Sequence, residues 1–296
     1  MMRDFRFGVL LTPAAGRDEW WASCRRAEEL GYDVIAVPDH LGVRSPFPAM
    51  MSAAAATERV RLTTYVLNTA FWNPVLLARE LLTVDVLTEG RVEAGLGTGY
   101  VRTEFEKAGL EWGTPGSRVG HLARTATDLR GLLADPRSLG FAEPAKRVPL
   151  LIGGNGDRVL RLAAQHADTA SFAGAVLAPG SSRGTLQLID AEAMDERVAF
   201  FAEAAGPRAA EVERNILVQT VLVTDDRRAA AQAMRRHLPY LTVDQIMGVP
   251  TLLMGTQEEI AETLLARRER FGISYVSVQE RDMAAFAPVV GLLAGR

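Results

Sequence analysis

Eight short runs rich in β-branched and apolar residues, most of them followed by an amphipathic helical pattern, predict an α/β chain closed into a (β/α)8 barrel. Two further observations support that class. With 296 residues and 48% hydrophobic content the chain can bury the core of one barrel or of two smaller domains. No linker separates the repeated units, so a single domain over residues 1–296 is expected. The strands are expected at Phe5–Leu11, Asp33–Pro38, Arg61–Leu67, Arg91–Gly97, Val148–Ile152, Thr169–Phe172, Asn215–Thr224 and Ile273–Gln279. Helical periodicity covers Asp18–Leu30, Phe47–Thr57, Pro74–Leu87, Arg118–Leu133, Asp157–His166, Asp190–Ala204, Asp226–Arg236, Thr256–Phe271 and Met283–Leu293. Helix ends carry their usual chemistry: Pro74 and Asp190 suit starts, Thr256 with Glu259 has capping-box spacing, and Gly31 and Gly272 suit C-terminal caps. The Gly/Ser-rich piece at 178–184 falls inside the sixth connection and reads as a mobile loop.

Composition restricts the partners. A net charge of −3 and a pI near 5.9 provide no general attraction to nucleic acid or to an anionic membrane, so small molecules or another protein chain are expected. Cys24 is the only cysteine; it cannot form an intrachain disulfide, and its helical setting reads as packing. No signal-peptide pattern opens the chain and no apolar run reaches spanning length, from which a cytoplasmic protein is expected. No two histidines have metal-site spacing, so no metal is expected.

The most informative stretch is VPLLIGGNGDRVLRLAAQHAD, 148–168, where an apolar strand stops at Gly153-Gly154-Asn155-Gly156 and a helix begins at once with Asp157. Free N–H groups and the positive end of the helix dipole make such a junction an anion site, suited to the phosphate of a cofactor. A tight turn that needs glycine only for its geometry is the competing reading, and the junction alone leaves both open. In a barrel, the residues after each strand converge on one mouth. Here they are Asp39-His40, Asn68-Thr69, Gly97-Thr98-Gly99-Tyr100, the GGN turn and Gln279-Glu280.

The segments FRFGVLL, AEELGYDVIAVPDHL, RLTTYVLNTAFWNPVLLARELLTVDVLTEGRVEAGLGTGY, PLLIGGNGDRVLRLAAQHAD and ARRERFGISYVSV, in that order, resemble the bacterial luciferase-like superfamily, in its coenzyme F420-dependent oxidoreductase branch, over nearly the whole chain. The resemblance implies a luciferase-like (β/α)8 TIM barrel, a homodimer, and a deazaflavin or flavin bound across the mouth. It places Asp39 and His40 against the cofactor ring and implies a non-prolyl cis peptide at Tyr65-Val66 behind it, with Asn68 at its polar edge. Phosphate and tail are then expected on Gly153, Gly154, Asn155 and Gly156, assisted by Thr98, Gly99 and Arg102. Phe71, Trp72, Phe172 and Met254 are candidates to line the pocket, with core packing as their alternative.

His40 is the first choice for proton chemistry, because an imidazole donates and accepts near neutral pH and a neighbouring carboxylate can orient it. Tyr100 is the alternative donor. His121, His166 and His237 lie in helical patterns and read as packing or surface residues. Two departures stand out: where the sugar-phosphate dehydrogenases of this branch have a catalytic Trp and a catalytic Glu, this chain has Arg44 and Tyr100. The connection before strand five, from Ala134 to Val148, is also shorter than in many relatives. The expected function is an F420-dependent oxidoreductase, reducing a C=C or C=N bond of a small metabolite. An FMN-dependent monooxygenase and a flavin- or deazaflavin-binding protein without turnover are the alternatives.

Overall fold

The computed structural model describes residues 3–12, 16–141, 147–178 and 186–296. Its barrel strands are β1 (Arg6–Leu10), β2 (Val34–Val37), β3 (Arg61–Thr64, resumed at Leu67–Asn68), β4 (Val92–Gly97), β5 (Leu150–Gly153), β6 (Thr169–Phe172), β7 (Glu213–Val218) and β8 (Ile273–Gln279). Neighbours pair in parallel all the way round: β8 returns to β1, and β3 pairs with β4 through Leu62 opposite Val92, so no barrel edge is left open. The helices are α1 (Arg17–Glu29), α2 (Pro46–Ala56), α3 (Pro74–Leu87), α4 (Arg102–Lys107), α5 (Pro115–Ala134), α6 (Asp157–His166), α7 (Ala191–Ala205), α8 (Arg227–Met234), α9 (Val243–Gly248), α10 (Gln257–Phe271) and α11 (Met283–Leu293).

Local chemistry accounts for many boundaries. Asn73 caps α3 by accepting from the Val75 and Leu76 amides ahead of Pro74, and the Thr256–Glu259 capping box opens α10. Gly272 closes α10 with φ of 68°, a conformation that a side chain disfavours. The outward faces of the strands and the inward faces of the helices form the main core, which includes Phe7, Ile35, Leu62, Leu96, Ile152, Phe172 and Phe286. Cys24 is buried there, and burial pushes its thiol up to about 12, the state of an inert packing residue.

Inside the barrel, an ionic layer joins four strands. Arg6 of β1 bonds Glu93 of β4 at 2.5 Å and Glu213 of β7 at 2.6 Å, while Arg61 of β3 reaches the same Glu93 oxygen at 2.5 Å. The Arg6 guanidinium also lies over the Tyr275 ring of β8, 4.1 Å from its centroid. Burial alone would raise the Glu93 carboxyl, but Arg6 and Arg61 outweigh it and hold the group below the ordinary carboxylate range.

Two expectations about strand seven and its surroundings are corrected. The run expected at 215–224 is not one strand: the chain leaves the barrel at Gln219, and Thr220–Val223 pairs instead with Leu252–Gly255, a strand absent from the eight expected ones. Between those two pieces α8 and α9 build a satellite core around Leu238, Leu241, Ile246, Leu252 and Met254. A short antiparallel ribbon, Ala175–Leu177 with Leu186–Leu188, rests beside it, and the Tyr240 hydroxyl accepts from the Leu188 amide. The loop expected at 178–184 lies outside the described residues apart from Ala178, and so does much of the connection before β5. Among the described residues no helix is long and apolar enough to cross a membrane.

The ionic layer yields a stability prediction. Because the folded carboxyl of Glu93 titrates below its unfolded value of 4.5, its contribution is present above that pH and is lost as pH falls through the folded value. Glu93→Gln leaves two guanidinium groups short of a partner and is expected to cost about 3–5 kcal/mol at pH 7. Denaturant unfolding at pH 7 and at progressively lower pH checks this: the gap between wild type and variant should narrow as pH falls through the folded value.

Candidate active site

The C-terminal mouth of the barrel is organised by the end of β2. Asp39 follows Pro38 and turns its Oδ2 toward the third connection, where it accepts from the Asn68 backbone amide at 3.1 Å and from the Trp72 indole at 3.0 Å. Burial raises the Asp39 carboxyl above its ordinary value despite these two donors. His40, next in the chain, points to the fourth connection instead. Its Nδ1 lies 3.0 and 3.2 Å from the two carboxylate oxygens of Glu104, the third residue of α4. Its Nε2 lies 3.5 Å from the Tyr100 hydroxyl, with the two rings edge to face at 87°.

Beside Asp39 and His40 opens a cavity of about 440 Å³, walled by Leu41, Val43 and Pro46, by Ala70, Phe71 and Trp72, and by Ala108 and Leu110. Ser45 adds a hydroxyl to these apolar walls, and no arginine or lysine is among the described residues that line the cavity. Of the expected pocket aromatics and methionine, Phe71 and Trp72 do line it. Phe172 packs on Phe201 in the main core and Met254 in the satellite core, the packing roles that were their alternative.

Strand β3 breaks between its two pieces, where the Tyr65-Val66 peptide is cis. Tyr65 turns inward: its hydroxyl lies 2.6 Å from Ser171 Oγ and donates to Asn215 Oδ1 at 2.8 Å, while Asn215 Nδ2 donates to Ser277 Oγ at 3.2 Å. Burial pushes the Tyr65 phenol up to about 12, with the bond to Ser171 acting the other way, so it stays protonated and serves this internal network. Val66 is received by glycines. A Cβ on Gly97 would lie 2.6 Å from Val66 Cγ2, and one on Gly95 would run into the Thr64 carbonyl. The alternating glycines in GLGTG are thus a packing requirement of the interrupted strand.

Two asparagines at the mouth have unused hydrogen-bonding atoms. Asn68 caps the turn after β3 by accepting from the Ala70 amide, but its buried Nδ2 donates to nothing among the described residues. Asn155 is buried with neither Nδ2 nor Oδ1 paired, the only described side chain for which both are true. It stands just before α6, whose N-terminus has no side-chain cap, and the amides of Asn155 and Gly156 find no acceptor among the described residues. Asp157 in the first turn pairs with Arg197 of α7 at 2.5 Å, which offsets its negative charge beside that open end.

The structure separates the glycines of this turn. The Gly154 amide already donates to Ser171 O at 3.0 Å, and a Cβ there would lie 2.6 Å from Val159 Cγ1, so its glycine serves helix packing. Gly156 faces open space, while Gly153 has Val66 at ordinary contact distance. Gly99, with φ of 66°, has the Asn68 side chain where its Cβ would be. Thr98 bonds locally to the Gly99 carbonyl at 3.4 Å. Arg102 is drawn to Glu106, one turn along α4, at 2.9 Å, and no hydrogen bond or ion pair among the described residues joins it to the glycine turn. His121 is held by the Thr69 carbonyl at 3.0 Å. Glu104 was not singled out from the sequence. Its only signal was a carboxylate four residues after Tyr100, in a helix too short to show periodicity.

Residues 5–275 match the luciferase-like monooxygenase family, and the chain belongs to it. An F420-dependent glucose-6-phosphate dehydrogenase of Microbacterium testaceum is 32% identical over 163 residues, 48% of each chain. A 5,10-methylenetetrahydromethanopterin reductase of Archaeoglobus fulgidus is 27% identical over 173 residues, 55% of this chain and 51% of that one. The matches thus span about half the length of these curated relatives. Among solved structures, an F420-dependent secondary alcohol dehydrogenase superposes with a TM-score of 0.75 at 18% identity, covering 98% of both chains. An EDTA monooxygenase from Chelativorans sp. BNC1 superposes with a TM-score of 0.73 at 12% identity, covering 99% of this chain and 94% of that one. At these identities the structural likeness is one of fold.

The contrast between the two glycines is measurable without any ligand. Gly154→Val is expected to lower stability by about 1–3 kcal/mol through overpacking. Gly156→Val should cost at most about 1 kcal/mol, the scale of a helix-cap change. Denaturant unfolding of both variants checks this, and equal losses would contradict the division of roles.

Proposed function

We propose that this protein is an oxidoreductase that uses coenzyme F420 in its reduced form to reduce a C=C or C=N bond of a small organic molecule. The observation that carries the reading is the Asn155 side chain, buried with donor and acceptor both unpaired beside the uncapped end of α6. An unsatisfied buried polar group costs about 1–3 kcal/mol, and a phosphorylated cofactor at the mouth relieves that cost while meeting the open amides. The residues present fit such a group: Gly156 leaves space for a phosphate, Asn68 has a free donor for a ring edge, and the named F420-dependent relatives share the family.

When bound, the deazaflavin supplies the two-electron hydride. The chain's own residues do the rest. Asp39 holds the third connection in place through Asn68 and Trp72, and Phe71 and Trp72 give the cavity an apolar wall. His40 delivers a proton to the atom next to the one that receives hydride, so that one hydride and one proton together saturate the bond. The apolar walls, free of lysine and arginine, support an uncharged substrate. Arg44 and Tyr100, standing where the sugar-phosphate dehydrogenases of the F420-dependent branch have Trp and Glu, weigh against sugar-phosphate oxidation.

Titration of the purified protein with F420 and with FMN, followed by tryptophan fluorescence, tests the cofactor. F420 is expected to bind more tightly, and Gly156→Val to weaken that binding by at least about tenfold, since 1.4 kcal/mol is one decade. FMN binding as tight or tighter, with oxygenation in the presence of a flavin reductase, would instead establish a monooxygenase. Binding without turnover would leave a carrier.

His40→Ala is expected to slow reduction of α,β-unsaturated ketone and imine probes by at least about tenfold at saturating cofactor, because acid–base residues contribute roughly 10²–10⁴-fold. Unchanged turnover with weaker cofactor binding would make His40 a binding residue. Loss in Tyr100→Phe alone would move the proton to the phenol.

A further inference from the structure

The two nitrogens of His40 have different partners, and the difference decides what the ring can do. Glu104 presents both oxygens to Nδ1, at 3.0 and 3.2 Å. An ionised carboxylate only accepts hydrogen bonds, so the imidazole nitrogen facing it carries the hydrogen. In the neutral ring Nε2 is then the basic atom, and in the imidazolium it is the proton carried on the side away from Glu104.

The sequence neighbour Asp39 is the obvious candidate for orienting His40, but its Oδ2 is committed to Asn68 and Trp72. Among the described residues Glu104 has no such competing commitment: Arg102, two residues before it, is drawn to Glu106 at 2.9 Å, and the ion pair in which Glu104 takes part there is that with His40. The Glu104 side chain is only 14% exposed, which limits screening of the bond by water. Tyr100 meets the other edge of the ring and is itself 69% exposed, so Nε2 sits where proton exchange with solvent is open.

We infer that Glu104 is a positioning residue that fixes His40 in its Nδ1–H tautomer and makes Nε2 the atom that exchanges the proton. The catalytic use of that proton rests on the function proposed above; the tautomer does not.

The test is long-range ¹H–¹⁵N spectroscopy of ¹⁵N-histidine-labelled, cofactor-free protein above pH 8, with the His40 signals assigned by their loss in His40→Ala. The wild type should show the Nδ1–H pattern. Glu104→Ala should move His40 toward the Nε2–H form that free imidazole side chains favour. Glu104→Gln, whose amide oxygen still accepts, should keep the Nδ1–H form. Thermal unfolding of each variant separates a tautomer change from loss of fold. An Nε2–H pattern in the wild type, or a tautomer unmoved by Glu104→Ala in a folded protein, overturns the inference. If reduction of the probes is measurable, Glu104→Ala should lower kcat by about tenfold with KM little changed, and Glu104→Gln should recover part of it. Full turnover in His40→Ala would remove the catalytic role of His40 while the tautomer result stands on its own.

Discussion

Closure of the barrel is the constraint from which the rest follows. An eight-stranded parallel barrel has an interior just wide enough for side chains, so whatever points inward must be satisfied there. Near the start of the strands the solution is ionic, with Glu93 shared by Arg6 and Arg61. Further along it is neutral, with Tyr65, Ser171, Asn215 and Ser277 linked by hydrogen bonds. A charge left alone at either level would cost several kcal/mol, which explains why both layers draw partners from several strands. At the mouth, Asn155 is left with both of its side-chain polar atoms unpaired among the described residues.

The mouth is assembled from connections distant in sequence, and each contributes a different physical element. The second supplies His40 and Asp39, the third Asn68 and Trp72, the fourth Tyr100 and Glu104, and the fifth Asn155 with an uncapped helix. Their relative placement is enforced by side-chain bonds between connections, because short loops alone would not hold ångström-level geometry. Asp39 is the clearest case: it spans from the second connection to the third and couples the cavity wall at Trp72 to the turn that presents Asn68.

Much of the architecture was legible in the sequence because local chemistry agreed with the fold. The ranges 74–87, 157–166 and 283–293 appear as helices with the expected ends; in the first, the Asn73 cap, Pro74 and the apolar period all point the same way. The split of strand seven was not legible: Asn215–Thr224 is one continuous β-prone run, and the reason it leaves the barrel at Gln219 is a partner strand more than thirty residues later. Helix α4 escaped because six residues complete fewer than two turns, too few for a hydrophobic period to register. Glu104 escaped with it. The GGNG turn was legible as a junction, yet its two candidate readings prove to be divided among its residues, with Gly154 needed for packing and Gly156 facing open space.

That division gives the residues of one short loop different physical surroundings. Gly154 turns its missing side chain toward Val159, and its N–H is spent on Ser171, which places the end of β5 and the start of α6 in a fixed relation. The next two amides, of Asn155 and Gly156, have no acceptor among the described residues, and the buried Asn155 side chain has no partner there. The packing of the turn and its open polar atoms thus fall on different residues.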